Sequence, residues 1–443
     1  MSLRKQIISG SAWVLFGRVT GALIGLIFYS LLTRTLAPED VGTYFLALSI
    51  ATAFTAVVGL GLPRTATRLL AEATSGAIRH DTRNMIKRAA GLTLVAGSLC
   101  SIVYVTTLGE WLAQTLFSNP RLTSLNGYIA AWFFLLALRQ LFAESFRGLG
   151  DIRLASVFGG LVSGGIATAL LGSGALVMTE MTIGHALAYT LAGLLVSTAL
   201  ALMLLWRATT PGSKKEGVHT NQILAIAAPI MLTDIIQAVL AQSNTWILGG
   251  VATEAEVALY GTVMQIVLLI SFPFIVVNNA IPQLLVKFKV AGQHDKLEML
   301  LQGVATATFL PALLLAVCLA FLGRPLLELV YGPTYGAGAP ALVWLAAGQL
   351  VNVVTGPCGI ALMLTGHQRV SMAVNIATGL IAIPLAFYLG ARYGAAGTAA
   401  SAALAMSGQN ISLAVLAHRR IGVRTHVSFS RRILRQFRPG KRA

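Results

Sequence analysis

Long apolar stretches recur along the chain, and short polar segments separate them. The apolar residues run without the regular polar alternation that is typical of membrane-spanning β-strands. A bilayer core takes about 20 residues of α-helix, and a helix satisfies its own backbone hydrogen bonds in lipid. The pattern therefore predicts twelve membrane-spanning helices. The predicted spans are residues 8–32, 41–62, 89–108, 126–147, 154–177, 184–206, 223–249, 258–282, 300–323, 340–364, 370–391 and 396–417.

Composition agrees with an all-α polytopic membrane protein. Of the 443 residues, 56% are hydrophobic and 11% are charged, whereas soluble proteins are about 25% charged. With the amino terminus placed in the cytoplasm, 26 of the 32 Lys and Arg residues fall in cytoplasmic segments and four in external ones. Because positive charge concentrates on the cytoplasmic side, we expect both termini there. Membrane lipids, not nucleic acid, are the expected partners of these basic segments.

Residue patterns for metal or cofactor binding are missing from the sequence. The three cysteines lie far apart and form no C-x-x-C motif, so a metal site is not supported. The chain also has no phosphate-binding G-x-x-x-x-G-K-[ST] loop, which excludes ATP hydrolysis of that kind as the energy source. We expect neither a metal nor a cofactor.

Two motifs recur at nearly constant spacing. PEDVGTY at 38–44 matches EAEVALY at 254–260 with an offset of 216, and His80-Asp81 matches His294-Asp295 with an offset of 214. Both repeats hold the same place relative to the predicted spans. We infer two pseudo-symmetric six-helix lobes, related by an axis along the membrane normal because six is even.

The repeat divides the chain into four parts. The amino-terminal lobe covers residues 1–206, and a cytoplasmic linker rich in Gly, Pro and Lys covers 207–221. The carboxy-terminal lobe covers 222–418, and a basic cytoplasmic tail follows at 419–443. In transporters with such repeats, substrate binds near the midplane between the lobes.

Charged residues inside predicted spans indicate where that site lies. A charge at the centre of a membrane helix costs about 2.5–3.5 kcal/mol on insertion scales and rarely faces lipid. Arg18 and Asp234 are 216 residues apart, so they occupy equivalent positions in the first helix of each lobe. Two interpretations stay open: both line a hydrated substrate cavity, or they form a buried ion pair that holds the lobes together.

The fourth and seventh spans add further candidates. Arg139 lies deep in the fourth span and is expected in the cavity. Glu144 either pairs with Arg147, three residues on, or faces the same cavity. The candidates for substrate binding are Arg18, Arg139, Gln237, Asn244 and Asn278. For the two asparagines, hydrogen bonding between helices is an equally simple explanation.

Several stretches resemble one membrane-protein family. They include GSAWVLFGRV, LLTRTLAPEDVGTYFLALSI, VGLGLPRTATRLL and APIMLTDIIQAVLAQSNTWILGGV. Together they look like bacterial polysaccharide or lipid-linked oligosaccharide flippases, of the O-antigen flippase kind. That family belongs to the multidrug/oligosaccharidyl-lipid/polysaccharide (MOP) exporter superfamily, and the likeness spans nearly the whole chain.

The resemblance implies a function. Such flippases move undecaprenyl-diphosphate-linked oligosaccharides across the bacterial inner membrane by alternating between inward-open and outward-open states. Proteins of polysaccharide assembly would then be partners. Arg18 and Arg139 would contact the diphosphate, because arginine stays charged and binds phosphate through two hydrogen bonds. If an H⁺ or Na⁺ gradient drives transport, Asp234 or Glu144 is the expected ion site, since burial can raise a carboxyl pKa towards neutrality.

Three other kinds of protein are alternatives to a flippase. A multidrug antiporter of the same fold would export organic cations and should have a cavity dominated by carboxylates. A membrane glycan polymerase or ligase should carry catalytic groups in an external loop, but residues 109–125 offer only Glu110 and Arg121. A non-transporting scaffold would not need the midmembrane charges. The sequence therefore favours a transporter over an enzyme.

Overall fold

The computed structural model describes residues 3–74, 81–209, 220–278, 282–430 and 433. In these ranges all regular secondary structure is helical. The main helices are Leu3–Thr35, Pro38–Val58, Leu62–Thr74, Thr82–Leu116, Asn126–Gly148, Ile152–Val177, Ile183–Ala208, Thr220–Val251, Glu254–Asn278, Pro282–Val290, His294–Tyr331, Ala339–Thr355, Cys358–Leu364 and Gln368–Ile421. Eleven helices in the described ranges are long and apolar enough to cross a membrane.

The last of these helices contains two spans. Gly394 has φ 56° and ψ −134°, which breaks the helix. On either side of this break, Ser401 Oγ donates to the Ala382 carbonyl at 3.3 Å, and Gln409 Nε2 donates to Asn375 Oδ1 at 2.8 Å. As one residue number rises its partner's falls, so the two segments run antiparallel. The predicted all-α membrane fold with about twelve spans is confirmed for the described residues.

Helix order repeats along the chain, as the sequence motifs predict. Each set begins with a long helix, continues with a second long helix, and then has a short helix whose first turn contains proline. In the first set the short helix is Leu62–Thr74, and in the second it is Pro282–Val290. The second set starts at the seventh span, Thr220–Val251.

Contacts group the chain into two compact units, Met1–Gly250 and Val251–Ala443. By its contacts the seventh span therefore belongs to the first unit, although the repeat places it at the start of the second lobe. The domain limits given by the sequence, with a linker at 207–221, remain a prediction. Residues 210–219 of that linker lie outside the described residues.

Two contacts explain why the seventh span packs with the first unit. Gly61 has φ 69°, and a Cβ added there would lie 2.4 Å from the Ala227 carbonyl oxygen. Only glycine allows this turn to approach the helix so closely. Further along the span, Trp246 Nε1 donates to Ser49 Oγ at 2.9 Å.

The first unit has a core in which the short helix Leu62–Thr74 packs against the fourth span. The helix is strongly amphipathic: Leu62, Leu69 and Leu70 are buried, and Arg68 is exposed. Phe146 of the fourth span belongs to the same buried cluster. This packing fixes the short helix beside the fourth span, and both helices contribute charged side chains to the cavity described below.

Two hydrogen-bonded clamps hold the second unit. Glu256, in the first turn of the eighth span, accepts a hydrogen bond from the Ala395 N–H at 2.6 Å, next to the break at Gly394. After the last span, residues 422–430 form a segment without regular secondary structure that we call the carboxy-terminal strap. Thr425 Oγ1 donates to the Thr355 carbonyl at 2.7 Å, and Ser428 N–H donates to Thr306 Oγ1 at 3.1 Å.

Candidate functional site

A cavity of about 620 Å³ lies within the first unit. Spans two, four, five and seven line it, together with the short helix Leu62–Thr74. Five of its lining side chains are charged: Arg64, Arg139, Glu144, Arg147 and Asp234. We call it the polar cavity. Its chemistry depends on which of these charges are paired and which are not.

Arg64 and Asp234 form one ion pair. Arg64 lies in the first turn of the short helix, directly after the close turn at Gly61. This turn directs the Arg64 side chain towards the seventh span. Its Nη1 is 3.0 Å from Asp234 Oδ1. The Arg64 side chain is 64% exposed and that of Asp234 is 20% exposed, so the pair is partly hydrated and can exchange partners at modest cost.

Glu144 forms the second ion pair, with Arg147 one turn later in the fourth span. Its Oε2 also accepts a hydrogen bond from Thr67 Oγ1 at 2.9 Å. Glu144 is thus held by its own helix and by the short helix. The sequence left open whether Glu144 pairs with Arg147 or faces the cavity, and the structure shows both.

Arg139 is the third arginine of the polar cavity, and neither of the cavity's two carboxylates pairs with it. Its Nη1 donates to the carbonyl of Gly159, beside the helix break at Gly160 in the fifth span. Its buried Nε has no hydrogen-bond partner in the described part of the chain. Over the same residues no carboxylate forms an ion pair with it, since both carboxylates of the polar cavity are taken by other arginines. The uncompensated positive charge of the polar cavity therefore resides at Arg139.

A second cavity of about 210 Å³ adjoins the first. It shares three lining residues with the polar cavity: Trp132, Leu136 and Arg139. The rest of its wall is mainly aromatic, aliphatic or glycine, with Phe28 and Tyr29 among its members. We call it the apolar cavity. Arg139 thus borders a polar space on one side and an apolar space on the other.

The structure brings four of the predicted residues together. Arg139, Glu144, Asp234 and Gln237 all line the polar cavity. Their assigned roles in substrate binding and ion coupling remain predictions. A shared cavity for the fourth and seventh spans is nevertheless what the midmembrane charges of the sequence indicate.

The remaining candidates lie elsewhere. Arg18 is exposed and lines neither of the two cavities. Asp234 pairs with Arg64, and the described residues show no ion pair between Asp234 and Arg18. Asn244 is partly buried but is absent from both cavity walls. Asn278 ends the eighth span, and its side chain lies outside the described residues.

Arg64 and Arg147 were not predicted as cavity residues. In the sequence both belong to the positive charges of cytoplasmic segments, as basic residues next to a span usually do. For Arg64 the available signal is the amphipathic pattern of Leu62–Thr74, which indicates a helix packed beside the bundle and not a loop. For Arg147 the signal was its spacing from Glu144.

Comparison with known families decides the relationship. Residues 7–284 match the family model described as polysaccharide biosynthesis protein, which is more than half of the chain. The chain belongs to this family. A second model, MatE, matches residues 229–388. These matches place this polysaccharide biosynthesis family member in the MOP superfamily.

Solved structures similar to this family member include MOP superfamily transporters. One is an inward-facing multidrug resistance MATE family transporter, with a TM-score of 0.73, 14% identity, and coverage of 91% of this chain and 94% of that one. Another is a MOP superfamily transporter from Pyrococcus furiosus whose binding pocket is described as having reverse polarity, with a TM-score of 0.66, 16% identity, and coverage of 94% and 96%. At such identities the likeness shows the fold.

Comparison with curated proteins finds no match. Within the described ranges, no group of three or more His, Cys, Asp or Glu residues is placed to hold a metal ion. The family member is a multi-pass membrane protein with a transporter fold, and its own site chemistry must indicate what it carries.

Proposed function

We propose that this protein is a flippase that moves an undecaprenyl-diphosphate-linked oligosaccharide across the bacterial inner membrane by alternating access. Both termini would then be cytoplasmic, as the distribution of Lys and Arg favours. The observation that carries the proposal is the uncompensated charge at Arg139 in the polar cavity. A diphosphate would supply the missing negative charge and accept hydrogen bonds from the guanidinium.

The family relationship supports a glycan substrate. Its matching model describes proteins of polysaccharide biosynthesis and covers the first unit from residue 7 onward. The cavity lies in that unit, so the anion site and the family match concern the same part of the chain. Because Arg18 lines neither cavity, we assign the principal phosphate contact to Arg139.

Ion coupling would use Asp234. Its partner Arg64 is mostly exposed, so a phosphate that enters the cavity can compete with Asp234 for the Arg64 guanidinium. Asp234 would then lose its cation and take up a proton or Na⁺ in exchange. Glu144 is the second candidate, but the hydrogen bond from Thr67 and its pairing with Arg147 fix it more firmly.

Organic-cation antiport is the second candidate function, and the multidrug transporters among the similar structures support it. A cation site needs a carboxylate that is free to bind. Here Asp234 and Glu144 are both paired with arginines, which disfavours cation binding. The Pyrococcus furiosus transporter, in which reverse polarity of the binding pocket suggests a different function, indicates that pocket polarity varies within this fold.

Transport into proteoliposomes tests the proposal. The assay would follow radiolabelled undecaprenyl-diphosphate oligosaccharide with the wild type, Arg139→Gln and the matched control Arg324→Gln. Arg324 forms an exposed ion pair with Glu328 in the second unit and should be dispensable. Loss of a charged phosphate contact should reduce transport by Arg139→Gln at least about tenfold, with unfolding temperatures near wild type.

Two results would contradict the proposal. One is equal transport by Arg139→Gln and the wild type. The other is transport of an organic cation such as ethidium by the wild type, with none of the lipid-linked oligosaccharide, which would favour the antiporter.

A further inference from the structure

The charge of Arg139 does not explain which chemical group the apolar cavity would bind. It adjoins the polar cavity at Arg139, so a phosphate bound to this guanidinium would have the apolar space directly beside it. A ligand that filled both spaces would need an anionic group joined to a group that fits the apolar wall.

Aromatic side chains form rigid parts of that wall. Phe28, Tyr44 and Trp132 are all buried, with exposures of 7%, 2% and 3%. Phe28 contacts Tyr44 and Tyr44 contacts Trp132, with ring centroids 6.0 Å and 5.2 Å apart. The rings therefore support one another and present fixed apolar surfaces to the cavity.

Hydroxyl groups of three lining residues are already paired. Tyr44 Oη lies 3.1 Å from Thr190 Oγ1, which itself donates to the Ala186 carbonyl. Ser163 Oγ donates to the Gly160 carbonyl at 3.2 Å. A sugar placed here would lose its hydrogen bonds to water and gain few in return, which is costly. The wall therefore favours a hydrocarbon over a sugar.

Space in the cavity comes from small residues. Gly21 and Gly25 are one turn apart on the first span, so they lie on the same helix face. A Cβ added at Gly25 would meet no atom within 4 Å, and one at Gly21 would lie 3.5 Å from Leu161 Cδ2. Opposite them, Gly164 of the fifth span has Ile24 as its neighbour. The gap suits a narrow chain.

We propose that the apolar cavity holds the first isoprene units of a polyprenyl diphosphate whose phosphates contact Arg139. This inference rests on the proposed function and specifies how that substrate lies. The prenyl end enters the space between the first and fifth spans, and the diphosphate meets the guanidinium. The glycan then occupies the polar cavity.

Soluble ligands allow the two cavities to be tested separately. Inorganic diphosphate, dimethylallyl diphosphate and geranyl diphosphate share the anionic group and differ in prenyl length, while UDP-glucose carries a diphosphate and a sugar but no prenyl group. Binding would be measured by calorimetry with the protein in zwitterionic nanodiscs, and empty nanodiscs would correct for partitioning. The wild type should bind geranyl diphosphate at least about tenfold more tightly than inorganic diphosphate.

Two variants test whether the tighter binding of geranyl diphosphate, which we call the prenyl gain, depends on the apolar cavity. Gly25→Leu should fill the apolar cavity without a steric clash at Cβ, and it should remove the prenyl gain while preserving affinity for inorganic diphosphate. Gly165→Leu is the matched control, because a Cβ there also meets nothing within 4 Å and the residue lines neither cavity. It should retain the full gain.

The outcomes separate the two proposals. If the wild type binds no diphosphate at all, the proposed function fails and this inference fails with it. If inorganic and geranyl diphosphate bind equally to the wild type, only the prenyl site is overturned, a result that needs no variant. The prenyl site is also overturned if Gly25→Leu still binds geranyl diphosphate more tightly than inorganic diphosphate. The same follows if Gly25→Leu has lower affinity for UDP-glucose but unchanged affinity for geranyl diphosphate.

Discussion

The two compact units place their charged residues differently. In the first unit, five charged side chains line a cavity within the helical bundle. In the second unit a groove of about 290 Å³ has Thr378, Gln409 and Ser412 as its polar lining and no charged residue. Charged residues of the second unit, such as Glu256 and Arg324, lie near the ends of its spans.

This difference indicates that the first unit recognises the ligand and that the polar groups of the second unit stabilise its own fold. Charges in the interior of a membrane bundle are costly and persist where function needs them, whereas charges at helix ends are readily solvated. The first unit therefore contains the candidate chemistry. The second unit uses its polar groups as clamps, as Glu256 does at the Ala395 N–H and Thr425 at the Thr355 carbonyl.

Gly61→Ala should have the largest effect on this comparison. The new Cβ would lie 2.4 Å from the Ala227 carbonyl oxygen and 2.7 Å from Met231 N, which pushes the seventh span away from the first unit. Left-handed strain plus overpacking should destabilise the protein by about 2–4 kcal/mol. Thermal unfolding in detergent would measure the change.

Gly292→Ala is the control for this effect in the second unit. Gly292 also has positive φ, 65°, but a Cβ there meets nothing within 4 Å. It should cost only about 1 kcal/mol. Equal losses for the two variants would mean that the close approach to the seventh span is unimportant.

Glu256→Ala should have the next largest effect, and it acts on the second unit. The substitution removes the carboxylate that accepts from the Ala395 N–H at 2.6 Å. Hydrogen bonds to charged groups contribute about 1.5–3 kcal/mol, so the unfolding temperature should fall while anion binding in the first unit stays unchanged. Glu256→Gln retains an acceptor oxygen and should recover part of the loss. If Glu256→Ala weakened diphosphate binding, the division of roles between the units would be wrong.

Asp234→Asn should have the smallest effect. Unlike the preceding variants, which lower stability, it should strengthen an interaction, namely diphosphate binding. It releases Arg64 from its ion pair, so the polar cavity gains net positive charge and should bind inorganic diphosphate several-fold more tightly, the size expected for a partly exposed pair of under about 1 kcal/mol. Glu72→Gln is the control, since Glu72 pairs with Arg68 of the same short helix outside the cavity. Weaker binding by Asp234→Asn would show that Asp234 takes part in anion recognition.

The positions of the long helices were predictable because the apolar pattern sets them directly. The break between the last two spans also follows from the sequence, where Gly394 interrupts an otherwise continuous helix. That the seventh span packs with the first unit was not predictable from the sequence. It depends on the approach of the Gly61 turn to Ala227, a contact between residues far apart in the chain.

The site was predictable in part, for a similar reason. A charge within a span signals a site but not the direction in which its side chain points. Arg139 faces the cavity, whereas Arg18, at an equally interior position, is exposed. The pairing of Asp234 with Arg64 was missed because sequence spacing suggested Arg18 as its partner, and spacing does not encode the turn that brings the short helix to the seventh span.

The carboxy-terminal strap bears on how the protein is made. Thr425 and Ser428 reach back to Thr355 and Thr306, across 70 and 122 residues of chain. They are synthesised after the spans that they contact. The ninth and tenth spans therefore enter the membrane without these contacts, and the second unit acquires these two hydrogen bonds only after the strap has been synthesised.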